Sequence, residues 1–270
     1  MPYSHAVPVE LADHLNDFAA LAHELADEAR GLALRYFRTR LDIIDKADES
    51  PVTIADREVE AAMRKRIGER YPTHGILGEE HGRDATDADF VWVLDPIDGT
   101  RSFISGSPLW GVLIALLWRG RPILGLIDAP VTGERWFGLE GQGTALNGVA
   151  ARASNCTTLA DACLYSTSPD IFDADGWERF ERVRKQTRMR RFGGDCYSYG
   201  LLASGHIDLV IESGLQPYDY LAIVTVLAQA GAVITDWEGQ PLTMESDGNV
   251  IAAANATLHA EALRVLRGEG

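Results

Sequence analysis

Between Trp110 and Gly148 the chain reads "WGVLIALLWRGRPILGLIDAPVTGERWFGLEGQGTALNG", and this stretch limits the fold more than any other. It holds an apolar run of strand length, an Arg-Gly turn, a second apolar run, a Pro/Gly turn and a third run. Connections this tight join antiparallel neighbours. The stretch therefore predicts an antiparallel meander, and its apolar start, "WGVLIALLW", also offers candidate interface surface.

Upstream, Leu11, Leu15, Phe18, Leu21, Ala22, Leu25, Ala29, Leu32, Ala33 and Phe37 recur at helical spacing, which predicts one long amphipathic helix over residues 9–40. "DKADESPVTIAD" breaks it. A second helix is expected over 54–70, with Thr53 as its cap and Tyr71-Pro72 at its end. "GILGEE" and "FVWVLD" read as short buried strands. After the meander, strands near 162–166, 188–192 and in "IDLVIE" alternate with helices near 175–185, 195–204 and 219–231. Strands "AVITDW" and "NVIAAAN" and a helix closing at Arg267 follow. No repeat, low-complexity tract or linker interrupts this order. The expectation is one domain over 1–270 in which helices and sheets form layers, with two sub-regions, about 1–155 and 156–270, sharing a cleft.

With 270 residues and 46% hydrophobic content the chain can bury a substantial core. A formal charge of -15 argues against nucleic-acid binding through a broad basic surface, because such binding is largely phosphate neutralisation by Lys and Arg. Cys156, Cys163 and Cys196 lack the close spacing of zinc sites or disulfide frameworks, which favours a reducing cytoplasm. The first residues carry acids and no long apolar run, so neither a signal peptide nor a membrane anchor is expected. The seven histidines are scattered and contain no HExxH pair.

Acids collect at three places where they have no evident structural duty: Glu79-Glu80 after "GIL", Asp95 and Asp98 after "VWVL", and Asp219 after "GLQPY". Taken singly, the first reads as a solvated loop, the second as a turn and the third as a helix cap. Together they suit a hard divalent cation, which takes oxygen ligands from a few carboxylates and completes its shell with water. Pro96 fixes φ between Asp95 and Asp98, so both are expected to point inward from one rigid turn, with the Ile97 carbonyl between them as a further ligand. If a helix starts at Gly99-Thr100, its free N–H groups face the same pocket and suit a phosphate. The combination predicts metal-assisted hydrolysis of a phosphate ester.

These residues resemble the inositol monophosphatase family of magnesium-dependent, lithium-sensitive phosphatases. "GEE" at Gly78–Glu80, "DPIDGT" at Asp95–Thr100 and the aromatic-Asp pair Tyr218-Asp219 carry the resemblance, and "DESPVTIAD" and "AGAVITDWEGQPL" extend it along nearly the whole chain. It implies an α/β layered fold of the α+β class, a five-layer α-β-α-β-α sandwich, in a homodimer without nucleic-acid or membrane partners. It also implies two or three Mg2+ ions, with Mn2+ a candidate substitute, held by Glu79, Asp95, the Ile97 carbonyl, Asp98 and Asp219. Asp56 and Thr100 correspond to the pair that orients the attacking water, Glu79 helps to activate it, and Lys46 matches a basic residue near the phosphate.

The departures carry the substrate information. Arg101-Ser102 stand where the common pattern has an Asn after "DGTx", and Tyr218 replaces the common Trp. "DGTRSFISG", "GGDCYSYG" and "PYDYLA" resemble the histidinol-phosphatase branch, which implies hydrolysis of L-histidinol phosphate in histidine biosynthesis. A carboxylate such as Asp195 or Glu212 suits a cationic amine or an imidazole N–H. The same residues equally suit hydroxyls of inositol or a sugar, so an inositol, sugar or nucleotide monophosphatase is the alternative, and a non-catalytic phosphate-binding module a more distant one. Gly99, Thr100, Arg101, Ser102, Arg191, Gly194, Asp195 and Glu212 form the expected substrate set. Arg101 and Arg191 either bind substrate or pair with nearby acids, and Tyr197 and Tyr199 line either the pocket or the core.

Overall fold

The predicted meander forms the centre of a larger sheet in the computed structural model, which describes Leu11 and residues 14–39, 44–45, 51–52 and 54–269. Helix α1 (Leu15–Tyr36) and helix α2 (Ile54–Arg70) flank a short antiparallel ribbon of β1 (Ile44–Asp45) and β2 (Pro51–Val52). Next come β3 (Gly75–Gly78), β4 (Gly82–Asp84), β5 (Phe90–Asp98), the short helix α3 (Thr100–Ser105), β6 (Gly111–Trp118), β7 (Arg121–Ala129), β8 (Glu134–Leu139), β9 (Gly143–Leu146) and β10 (Val149–Ala151). These strands form an eight-stranded sheet in the order β10-β9-β8-β7-β6-β5-β3-β4, antiparallel except where β3 runs parallel to β5. The second half supplies β11 (Cys163–Ser166), helix α4 (Ala174–Arg184), β12 (Met189–Phe192), helix α5 (Asp195–Ala203), β13 (Leu209–Glu212), helix α6 (Pro217–Gln229), β14 (Val233–Thr235), β15 (Val250–Ala253) and helix α7 (Ala256–Leu266). Its sheet has five strands in the order β12-β11-β13-β15-β14.

The meander is apolar throughout because both faces of the large sheet are covered. Side chains alternate across a strand. Leu113, Ala115 and Leu117 of β6 therefore join the core shared with α5, α6 and the small sheet, while Val112, Ile114 and Leu116 join the core under α1 and α2. On its far face the small sheet packs against α4 and α7 through Phe180, Val183, Leu258 and Ala262. The layers are thus α1/α2, large sheet, α5/α6, small sheet and α4/α7, the α-β-α-β-α sandwich that the resemblance implied. Helix α6 lies directly on the sheet because glycine stands beneath it. A Cβ on Gly125 would come within 2.0 Å of the Ala222 carbonyl oxygen, and one on Gly138 within 2.8 Å of Val226 Cα. Helix α1 is fastened to the opposite face by the buried Asp128, which accepts from Arg30 Nε at 3.0 Å and from Arg135 Nε at 2.6 Å.

Two expectations differ from the structure. The first helix covers Leu15–Tyr36 within the predicted 9–40, since Phe37 already has extended dihedrals; the proposed cap Thr53 lies outside the described residues. The segment expected to turn at Pro96 instead remains strand through Asp98. Among the described residues, no helix is long and apolar enough to cross a membrane, and Cys156, Cys163 and Cys196 are free thiols.

Candidate active site

Asp95 and Asp98 are three residues apart, so a regular strand would send them to opposite faces of the sheet. The strand is not regular there. Asp95 pairs with Leu113 and Asp98 with Gly111, three steps on β5 against two on β6. This one-residue bulge reverses the parity and brings both carboxylates to the same end of the sheet. Pro96 lacks an N–H and is tolerated where the ladder is already interrupted. The Ile97 N–H turns back to Asp95 Oδ1 at 3.0 Å, while the Ile97 carbonyl accepts from the Thr100 hydroxyl at 3.2 Å.

The third carboxylate arrives on the first turn of α6. Asp219 Oδ2 accepts the Gln216 N–H at 2.7 Å in a capping box, so the cap reading and the site reading describe the same side chain. One oxygen from each of Asp95, Asp98 and Asp219 falls within a group no more than 4.8 Å across. Helix α5 reaches the same point: the Cys196 N–H donates to Asp98 Oδ2 at 2.6 Å. The preceding residue, Asp195, has φ of 43°, a left-handed conformation that costs a non-glycine residue roughly 1–2 kcal/mol. It is held by the Ser102 hydroxyl, which donates to Asp195 Oδ2 at 2.7 Å. Gly99, with φ of 83°, passes so close that a Cβ there would meet Asp195 Oδ2 at 2.6 Å. Glycine is required at that position on both counts.

The site's electrostatics follow from packing acids together away from water. Burial first, then the charges of Glu79, Asp98, Asp219 and Asp56, push the Asp95 carboxyl well above its ordinary range. Burial, with Asp195 and Asp219, does the same to Asp98, against the opposing pull of the Cys196 N–H. Burial raises Asp219 to about 6, although the Gln216 N–H and a hydrogen bond with Asp95 act the other way. Among the described residues none of Asp95, Asp98 and Asp219 is ion-paired with Lys or Arg. An all-oxygen, mutually repelling set fits a hard divalent cation, which would replace repulsion by attraction.

A cleft of about 500 Å³ reaches this group of acids at Asp219. Glu79, Gly99–Arg101, Thr167, Asp170, Asp195 and Ser213 also line it. Asp56 is buried at the start of α2, close enough to Asp95 for its charge to be felt. Gly194 precedes α5 with φ of 132°. Of the expected substrate residues, Glu212 and Arg191 stand elsewhere. Glu212 is buried behind the wall, 1% exposed, and accepts the Thr167 N–H at 2.7 Å; burial lifts it to about 8. Arg191 is exposed on the edge strand β12 and does not line the cleft. Lys46 lies outside the described residues. Tyr197 and Tyr199 belong to the core side of α5, where the Tyr197 hydroxyl donates to Glu134 at 2.6 Å and Tyr199 is 3% exposed.

Sequence reasoning missed Asp170, on the rim of the cleft, and Glu60, beneath the loop that carries Glu79. Glu60 had a signal. It falls on the buried stripe of α2 with Ala55, Val59, Met63 and Ile67, and an acid on the apolar face of a helix calls for a partner.

The sequence profile of the inositol monophosphatase family matches residues 14–269. The chain is 48% identical to the bifunctional phosphatase IMPL2, chloroplastic, of Arabidopsis thaliana, over 97% of this chain and 79% of that protein. It is 36% identical to the histidinol-phosphatase of Mycobacterium tuberculosis, over 92% of this chain and 97% of the other. Among solved structures, an inositol monophosphatase from Zymomonas mobilis superposes with a TM-score of 0.86 at 45% identity, covering 93% of this chain and 98% of that one. The bulged strand, the converging acids and the layered sheets all sit within the matched span, and the chain belongs to the inositol monophosphatase family.

Proposed function

We propose that this family phosphatase is a Mg2+-dependent phosphomonoesterase that hydrolyses L-histidinol phosphate to L-histidinol and phosphate. The observation that carries the reaction is the convergence of Asp95, Asp98 and Asp219, the last of which lines a cleft. The choice of substrate is supported by Asp195 and Asp170 on the cleft wall, which suit a cationic leaving group, and by the similarity to a histidinol-phosphatase.

Asp95, Asp98, Asp219 and Glu79, with the Ile97 carbonyl, would hold Mg2+, which when bound would supply positive charge for the phosphoryl oxygens and acidify the attacking water. The backbone at Gly99-Thr100 receives the phosphate, and the Thr100 hydroxyl with Asp56 orients the water for in-line attack. Asp195, fixed by Ser102, accepts a hydrogen bond from the amine or imidazole of the leaving group. The reading carries no covalent enzyme intermediate, since no Cys or Ser stands in a nucleophile motif. It also carries a homodimer and a reducing compartment.

A second reading, hydrolysis of inositol phosphate, is favoured by the likeness to the Zymomonas inositol monophosphatase. Both readings share every residue on the phosphate side. Phosphate release with Mg2+ is to be compared as kcat/KM for L-histidinol phosphate, inositol 1-phosphate, fructose 1,6-bisphosphate and adenosine 3',5'-bisphosphate. The proposal expects a clear preference for the first; a flat profile or another preferred ester removes the substrate and keeps the reaction. Asp95→Asn is expected to abolish turnover of every ester with the fold intact. Asp195→Ala is expected to lower kcat/KM for histidinol phosphate by about 10- to 100-fold, the worth of one hydrogen bond to a charged group. An unchanged value withdraws the role given to Asp195.

A further inference from the structure

Glu60 is fully buried on α2 and stands outside the group of Asp95, Asp98 and Asp219. Its Oε2 accepts the Glu80 N–H at 2.6 Å, and its Oε1 accepts the His81 N–H at 3.1 Å. One helical turn on, Arg64 Nε donates to Oε1 at 2.6 Å, and the same guanidinium donates to the Gly82 carbonyl. On the near side of the loop, Gly78 lies so close that a Cβ there would stand 2.1 Å from Glu60 Oε1. The backbone is therefore fastened to Glu60 immediately after Glu79, the residue that reaches the cleft, while immediately before it Gly78 packs against the same carboxylate and pairs in the sheet. A buried ion pair contributes little net stability compared with well-packed apolar side chains. An apolar residue at this position would complete the stripe of α2, yet could not hold the loop.

We propose that Glu60 is a positioning residue that presents Glu79 to the divalent cation, with Arg64 as its counter-charge and second fastening. The inference rests on the reading of Glu79 as a cation ligand. Two amides anchored on one rigid carboxylate restrict Glu79 to side-chain rotation about a fixed backbone, and outer hydrogen bonds of this kind commonly set metal affinity.

The test titrates the full-length protein with MgCl2 alone, by calorimetry, and separately measures the Mg2+ concentration for half-maximal phosphate release. Glu60→Gln loses one acceptor oxygen and the charge that Arg64 matches. It is expected to weaken Mg2+ binding by about 10- to 100-fold, with kcat largely restored at saturating Mg2+ and the KM for the phosphate ester unchanged. Arg64→Lys keeps the charge but cannot serve both Glu60 and the Gly82 carbonyl; it is expected to weaken binding by a smaller factor, and it decides the question if Glu60→Gln fails to fold. Glu79→Gln separates the two premises. If Glu79→Gln weakens Mg2+ binding while the other two variants bind it as wild type, with or without a loss of thermal stability, the positioning role is overturned. If Glu79→Gln also binds Mg2+ as wild type, the ligand reading falls first and takes the positioning role with it.

Discussion

Glu212 illustrates how a carboxyl can be close to a reaction site without facing it. Its folded-state value of about 8, against an ordinary 4.5, arises mainly from burial and is opposed by the Thr167 N–H. Between those two values the folded protein holds a proton that the unfolded chain has released, so stability falls as pH rises through the window, and the full cost is present above it. Glu212→Gln has no such titration. In urea unfolding without Mg2+, the variant is expected to match wild type near pH 4.5 and to exceed it by a few kcal/mol, order of magnitude, at pH 9. Parallel pH profiles for the two proteins would show that Glu212 titrates alike in the folded and unfolded states. The same residue marks a limit of reading sequence. Asp95, Asp98 and Asp219 were visible as acids at the ends of apolar segments, where burial and charge conflict openly. That Glu212 lies behind the wall rather than on it depends on how β13 meets the loop at Thr167, a contact 45 residues away in the chain. Glu60 was visible in principle as an acid within an apolar stripe with Arg64 one turn on, but its other partners, the Glu80 and His81 N–H groups, are main-chain amides, which leave no mark in a sequence.

Among the elements, strand and helix runs were legible wherever burial imposed a period. Helix α2 was expected over 54–70 and is found over Ile54–Arg70. Among the strands that escaped are β1, β2, β4, β9 and β10, of two to four residues each. No alternation develops over such a length, and β4 and β10 are also edge strands with one pairing partner. The bulge in β5 escaped for a different reason: it is a mismatch with β6, and neither strand alone contains it. Contact between α6 and the large sheet gives a prediction at this scale. Gly125→Ala forces a methyl into the Ala222 carbonyl and is expected to cost on the order of 3 kcal/mol. Gly31, within α1, faces open space, with no neighbouring atom within 4 Å of where a methyl would stand, and Gly31→Ala is expected to stabilise by about 0.5–1 kcal/mol. Urea midpoints moving the same way for both substitutions would contradict the close approach of α6.

Across the whole molecule, the -15 charge and the crowded acid group act in one direction. On the proposed reading, these acids oppose folding without a cation and, with one, join the large sheet, which carries Asp95 and Asp98, to helix α6, which carries Asp219. Mg2+ is expected to raise the thermal midpoint by the linkage expression for a ligand bound only by the folded state, about 2.7 kcal/mol at a concentration one hundred times the dissociation constant. Asp95→Asn is expected to raise the metal-free midpoint and to blunt the response to Mg2+, gaining stability as it loses turnover. A metal-free midpoint lowered by the substitution would mean that the carboxylate contributes more through its bond to the Ile97 N–H than it costs through repulsion. Layer order was legible through the resemblance, whereas the placement of the acids within it depends on packing between residues far apart in sequence. The capping box at Gln216 and Asp219 has a practical consequence for anyone transplanting this chemistry. The carboxylate proposed as a cation ligand also defines where the central helix begins, so a graft that copies the acids without that helix start would deliver the right functional groups on an unanchored backbone.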